Sequence, residues 1–174
     1  MPVILNDNGE LFEEHQFATE AEFETEIVRH ADEIFGPNSI YVDIKKRVKG
    51  NGIISIPDGY VIDMATPDSP ELFIIENEIA SHDPFKHIGI QLLRFVTSFQ
   101  EAKADVRRFL MEEIAKSKVA LERLETGCAQ SNKRNVDNYL DEAVYGQFRG
   151  LVIIDHAEPE LHNVLRHINA NISV

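Results

Sequence analysis

The sequence predicts a single α/β domain in which helices cover both faces of a central mixed β-sheet. The chain of 174 residues, 43% hydrophobic and 27% charged, suits one soluble domain with its own core. Strand-like runs lie between residues 39 and 80, and helical patterns precede and follow them. A short apolar run at 150–155 comes after the helices. A right-handed crossover would bring that run into the sheet, parallel to the third strand.

The first predicted helix begins at a capping box. Residues 1–18 are polar and lack a clear period, so they are interpreted as a lead-in to a domain that spans 19–174. Thr19 is a favourable N-cap, and Glu22 follows three residues later. The dipeptide Gly36-Pro37 ends the helix.

Three strands are predicted next. Residues 39–49 alternate between apolar and polar side chains and lead into a glycine-rich turn at 50–52. Residues 53–64 are rich in β-branched side chains, although Pro57 interrupts them. Residues 71–80 contain a continuous apolar run, which predicts a strand buried on both faces.

The second half of the chain is mainly helical. Asp83 is expected to cap a helix that begins at Pro84. Residues 101–146 are predicted to form a charged helical insert, and 159–170 a final helix. With the strand at 150–155, the sheet would have about four to five strands. The last four residues resemble the start of another strand, so the chain is interpreted as the N-terminal portion of a longer protein.

The charge pattern bears on possible partners. The net charge of −13 disfavours nucleic acid, but residues 1–40 hold ten acids against only Arg29. Most of the excess therefore belongs to one segment. The lone Cys128 fits a reducing compartment, and no apolar run approaches the roughly 20 residues that span a bilayer. The sequence predicts a cytoplasmic protein without a membrane partner.

Three carboxylates carry the chemical prediction. Asp58 is placed near the middle of the second strand, and Glu76 and Glu78 lie in the third. Because side chains alternate along a strand, Glu76 and Glu78 project from the same face beside apolar neighbours. Buried carboxylates need a cation, a basic partner or protonation. Carboxylate and backbone carbonyl oxygens suit Mg²⁺ or Mn²⁺, which can stabilise charge on a phosphate.

These residues resemble the motif of the PD-(D/E)XK nuclease superfamily. The stretch Ile56-Pro57-Asp58-Gly59, followed by residues 73–78, is similar to its Asp on one strand and acid-x-Lys on the next. The resemblance implies a restriction-endonuclease-like α/β/α sandwich. It also implies that Asp58, Glu76 and the backbone carbonyl of Asn77 are metal ligands.

Two flanking positions extend the resemblance, which covers residues 19–100 by motif and 149–170 by topology. Glu24 matches an acid that the superfamily often carries on its first helix. Gln91 looks like the glutamine of the RecB-like Gln-x-x-x-Tyr motif, with Phe95 in the tyrosine position. By that likeness Gln91 would position water or phosphate, and Glu24 would join the site through water.

The resemblance implies an Mg²⁺- or Mn²⁺-dependent endo- or exonuclease that hydrolyses phosphodiester bonds, in DNA rather than RNA. One position departs from the motif, because Glu78 occupies the place of its lysine. Glu78 would then be a ligand or general base. The missing ammonium group would come from Lys86, or from Lys45 or Lys46. Homodimer formation and further domains of a longer chain are both left open.

Simpler interpretations stand beside these. Pro-Asp-Gly is most often a turn, Glu76 and Glu78 could lie on a solvated edge strand, and Glu24 belongs to an acidic helix. Gln91 could cap a polar edge of the core. The alternative function is a catalytically degenerate module on the same fold that binds nucleic acid or protein. The scattered histidines and single cysteine do not predict structural zinc.

Overall fold

The computed structural model describes residues 3–5, 9, 11–13, 15–80 and 84–156, without the side chains of 3–5, 12–13, 84–89 and 92. The helices are α1 (Glu20–Arg29), α2 (Ala31–Phe35), α3 (Pro84–Ile114), α4 (Lys118–Gln130) and α5 (Val136–Tyr145). The strands are β1 (Val3–Leu5), β2 (Leu11–Glu13), β3 (Ser39–Val42), β4 (Val48–Gly50), β5 (Ile53–Ser55), β6 (Gly59–Asp63), β7 (Glu71–Glu78) and β8 (Phe148–Ile154). The predicted cap at Asp83 and helix at 159–170 lie outside the described residues.

The central sheet is mixed, as predicted. Its described strands lie in the order β3-β6-β7-β8. The pairs β3–β6 and β6–β7 are antiparallel, whereas β7 and β8 are parallel, with Glu76 opposite Val152. The predicted parallel pairing of the late apolar run with the third strand is therefore confirmed. The chain is an α/β protein with a mixed four-stranded sheet in its described part.

Both faces of β7 are buried, because helices pack on each. Leu72 and Ile74 lie in the larger core, which α3, α4 and α5 complete with side chains such as Phe99 and Leu110. Because side chains alternate, Ile79 points to the other face, where it forms a smaller cluster with Phe23 and Ile27 of α1. The partly buried side chains around this cluster are Phe17, Phe35, Tyr41 and Ile153. The continuous apolar run of β7 thus results from a strand that lies between two helical layers.

Helix α1 begins as the sequence predicts. The Oγ1 of Thr19 accepts a hydrogen bond from the backbone N–H of Glu22 at 3.2 Å. The carboxylate of Glu22 accepts in return from the backbone N–H of Ala18, one residue before the cap. The cap therefore satisfies the N–H of Glu22 in the first turn, and the side chain of Glu22 ties the preceding residue to the helix. The helix ends at Arg29, and after His30 the short α2 leads to the turn at Gly36.

The first two predicted strands are each divided in two. After β3, residues 43–47 form a loop, and β4 pairs with β5 in a separate hairpin across the turn at 51–52. This hairpin packs on α3, where the hydroxyl groups of Ser55 and Ser98 are 2.6 Å apart. The chain then bends before β6. Asp58 accordingly lies at this bend rather than in the middle of a strand, and that part of the prediction was wrong.

Helix α3 is longer than the sequence pattern indicates. It runs without a break across the predicted start of the insert at residue 101. Val106, Leu110 and Ile114 are fully buried and continue the core beyond the sheet. The predicted lead-in contains the paired strands β1 and β2. None of the helices in the described ranges is both long and apolar enough to cross a membrane.

Candidate functional site

Asp58 lies at the end of the sheet and is held by β7. Its backbone N–H donates to the carbonyl of Ile75 at 3.1 Å, and its Oδ2 accepts from the backbone N–H of Asn77 at 2.9 Å. Strand β6 begins only at Gly59, so β7 has no strand partner on this side at Asn77. The carboxylate of Asp58 takes the place of the missing backbone acceptor, which fixes its orientation.

The glycine after Asp58 has a steric reason. A Cβ atom at Gly59 would lie 2.9 Å from the ring of Tyr41, a residue of the neighbouring strand β3. Any larger residue would displace that ring, which stacks on Phe35. The Pro-Asp-Gly sequence therefore forms a bend, as the simpler interpretation held, and the same bend carries the carboxylate to the site.

Glu76 is the most unusual carboxylate in the described part of the chain. Its side chain is only 4% exposed, and Gln91 of α3 donates from Nε2 to Oε1 at 2.7 Å. The second oxygen, Oε2, is buried and has no hydrogen-bond partner among the described residues. Burial, followed by the charges of Asp58, Glu78 and Glu20, raises the pKa of Glu76 to about 9. Without a cation this carboxyl group is therefore protonated at neutral pH.

Glu78 ends β7 on the same face as Glu76. It is 3% exposed, and its Oε1 accepts from the backbone N–H of Ile79 at 3.3 Å. Its negative charge contributes to the raised pKa of Glu76. Burial of Asn77 between them, at 3% exposure, excludes the interpretation of this segment as a solvated edge strand. The parallel pairing with β8 covers the other side of β7.

A lysine from the loop after β3 connects α1 to the bend. The Nζ of Lys45 contacts the carboxylate of Glu24 and lies 3.3 Å from Oδ1 of Asp58. Partial burial by itself would lower the pKa of Lys45. The two carboxylates stabilise its positive charge more strongly than burial destabilises it, so the pKa of Lys45 is raised. Lys45 is thus one of the lysines that the sequence suggested. Lys46 pairs instead with carboxylates of α3, and the side chain of Lys86 lies outside the described atoms.

The structure brings the five predicted site residues into one region: Glu24, Asp58, Glu76, Glu78 and Gln91. Glu24 is linked to Asp58 through Lys45, and Gln91 is linked to Glu76 by a hydrogen bond. The structure also adds Glu20, one helical turn before Glu24, whose charge acts on Glu76. Sequence reasoning missed this residue. The available signal was the i, i+4 spacing of the two acids on the same helix face.

The oxygens present suit a hard divalent cation. Asp58 at the bend and Glu76 on β7 supply carboxyl groups close enough to interact electrostatically, and the Oε2 of Glu76 has no partner among the described residues. Across the described ranges no three His, Cys, Asp or Glu side chains form a ready cluster of ligands. A cation would therefore depend on two carboxylates, a backbone carbonyl and water, which is a mode that Mg²⁺ accepts.

The comparisons with known proteins add no assignment to this geometry. No protein-family model, curated protein or solved structure matches the chain.

Proposed function

We propose that this protein is an Mg²⁺- or Mn²⁺-dependent nuclease with a restriction-endonuclease-like α/β/α sandwich, acting on DNA rather than RNA. The observation that carries the proposal is the buried Glu76 beside Asp58, with one carboxylate oxygen that has no partner in the described part of the chain. A carboxylate costs several kcal/mol to keep ionised in such a place unless a cation offsets the charge. The mixed sheet and the motif resemblance agree with this fold.

In this proposal Asp58 and Glu76 hold the cation, together with the backbone carbonyl of Asn77. The cation, when bound, would neutralise developing charge on a phosphate oxygen and make a nearby water more acidic. Gln91 fixes one oxygen of Glu76 through its 2.7 Å hydrogen bond, so the other oxygen keeps its direction. Glu78, buried at the end of β7, is proposed as a further ligand or general base.

Lys45 is proposed to supply the positive charge that the motif lysine provides elsewhere. Its ammonium group lies 3.3 Å from Asp58 and is held by Glu24 on the far side. From there it can donate a hydrogen bond to a phosphate oxygen or hold the attacking water. Glu24 then has a positioning role, because it fixes Lys45 rather than touching the substrate.

A metal titration tests the site first. Calorimetric titration with Mn²⁺ is expected to give one binding event in the wild type that Asp58→Ala abolishes. Glu125→Gln, an exposed acid on α4, serves as a control that retains the binding event. Equal Mn²⁺ binding by the wild type and Asp58→Ala would contradict the proposed metal site.

A cleavage assay tests the activity. The substrates are single-stranded, double-stranded and branched DNA, RNA of the same sequence, and bis(p-nitrophenyl) phosphate, each with Mn²⁺. We expect cleavage of DNA, and a loss of about 100-fold or more in Lys45→Met, the range for removal of one electrostatic group. Lys46→Met is the matched control, because its ammonium group pairs with α3 and not with the site. Equal activity in the two variants would exclude the role of Lys45.

One observation favours a second candidate, a non-catalytic module that binds nucleic acid or protein. Glu78 stands where the motif has lysine, and Lys45 already pairs with both Glu24 and Asp58 without any metal. Protonated Glu76 would leave such a site stable as it stands. A protein that binds Mn²⁺ yet cleaves none of the five substrates would support this candidate.

A further inference from the structure

A short segment next to the candidate site is rich in positive charge. Residues 43–49 contain four of the 17 lysines and arginines and only one acid. The segment begins directly after β3 and ends within β4, and the ammonium group of Lys45 lies 3.3 Å from Asp58. A local excess of cations in a chain of net charge −13 indicates a surface that meets a negatively charged partner.

Two of the four cations anchor the segment. Lys45 is held by Glu24 and Asp58. Lys46 lies 3.4 Å from the carboxylate of Glu112 and 4.7 Å from the ring centre of Phe109, both on α3. The segment is therefore fixed on both sides, which lowers the conformational cost of presenting its other charges.

The other two cations, Arg47 and Lys49, are exposed and have no ion-pair or hydrogen-bond partner within the described residues. Val48 between them is buried, so both side chains point away from α3. Lys49 is opposite Ile54 in the β4–β5 pairing, and continuing the register by one residue places Arg47 opposite Ile56. Ile54 and Ile56 are 45% and 44% exposed. We call these four side chains the hairpin face.

We propose that the hairpin face is a nucleic-acid contact surface that leads the substrate to Asp58. Arg47 and Lys49 would neutralise two phosphates of the strand, and the isoleucines would pack against its sugars or bases. Ile56 is two residues from Asp58 along the chain, so a strand on this face lies next to the carboxylates. The choice of nucleic acid as the ligand rests on the proposed function. The place of the contact surface rests on the exposed charges of Arg47 and Lys49.

The test compares Arg47→Gln/Lys49→Gln with Lys118→Gln/Arg134→Gln, a control that removes the same charge from exposed positions on α4 and the loop after it. Fluorescence anisotropy measures binding of a labelled 20-mer, single- or double-stranded, between 50 and 200 mM salt, without divalent metal. For duplex DNA, the plot of log K against log salt concentration should become less steep by about 0.9 for each phosphate contact that is lost. At 0.1 M salt this corresponds to an affinity about 8-fold weaker for each cation removed. The control should change neither quantity.

Three results would overturn the proposal: equal weakening by both double variants, no change in the hairpin variant, or no binding of either oligonucleotide by the wild type. A hairpin face that instead joins two copies of the chain would appear as a dimer that the hairpin variant dissociates, and this also overturns it. Hydrolysis of bis(p-nitrophenyl) phosphate separates the two proposals. The hairpin variant should retain that activity, whereas DNA binding without any hydrolysis by the wild type would refute the nuclease function and leave the hairpin face supported.

Discussion

Replacement of Glu76 by glutamine is expected to abolish a large pH dependence of stability. Glutamine has nearly the same shape and keeps the oxygen that accepts from Gln91, but it cannot ionise. In the wild type, burial and neighbouring carboxylates raise the pKa of Glu76 from 4.5 to about 9. The variant therefore isolates the cost of one buried negative charge.

The magnitude follows from linkage between protonation and folding. Glu76 binds its proton more tightly in the folded chain than in the unfolded chain, so its contribution to stability is complete below pH 4.5 and is lost as pH rises towards 9. At about 1.4 kcal/mol per pH unit, three units between pH 5 and pH 8 correspond to about 4 kcal/mol. That is a large fraction of the roughly 5–15 kcal/mol by which a domain is stable. Between pH 5 and pH 8 the free energy of unfolding of Glu76→Gln should therefore rise by about 4 kcal/mol relative to that of the wild type.

Urea unfolding at pH 5, 6, 7 and 8, without divalent metal, measures the free energy of unfolding of both proteins. The difference between Glu76→Gln and the wild type should grow steadily with pH. Glu125→Gln on the exposed surface of α4 controls for the loss of one acid. Parallel curves for the wild type and Glu76→Gln, within about 0.5 kcal/mol, would refute the inference that Glu76 is protonated in the folded state.

The remaining predictions concern the packing that supports the site. Gly50→Ala should destabilise the fold by about 1–3 kcal/mol, because a methyl group there would overlap a backbone carbonyl of α3, whereas Lys49→Ala on the same strand should change stability little. Leu110→Ala should cost about 2–5 kcal/mol by leaving a cavity in the core, and Leu93→Ala, 66% exposed on the same helix, less than about 0.5 kcal/mol. Thr19→Ala should cost about 1 kcal/mol through loss of the N-cap of α1. Urea unfolding measures each difference, and equal values for a variant and its control would contradict the assigned packing.

Features that depend on neighbours in the chain were predictable from the sequence. Thr19 and Glu22 fixed the start of α1 because capping is completed within four residues. The apolar run of β7 predicted a strand buried on both faces, since no exposed strand would carry it. The same alternation placed Glu76 and Glu78 on one face.

Features that depend on distant parts of the chain needed the tertiary structure. Pro57 and the Pro-Asp-Gly sequence signalled an interruption near Asp58, but no local pattern contains the packing of β5 on α3, outside the central sheet. In the sequence Lys86 was the first candidate for the missing ammonium group and Lys45 and Lys46 were further ones, and only the fold brought Lys45 to Asp58 rather than to α3. The raised pKa of Glu76 likewise depends on burial and on Asp58, Glu78 and Glu20 together. The sequence by itself determined which carboxylates are present and how they alternate; the tertiary structure decided what surrounds them, because desolvation and charge proximity arise only when distant segments pack together.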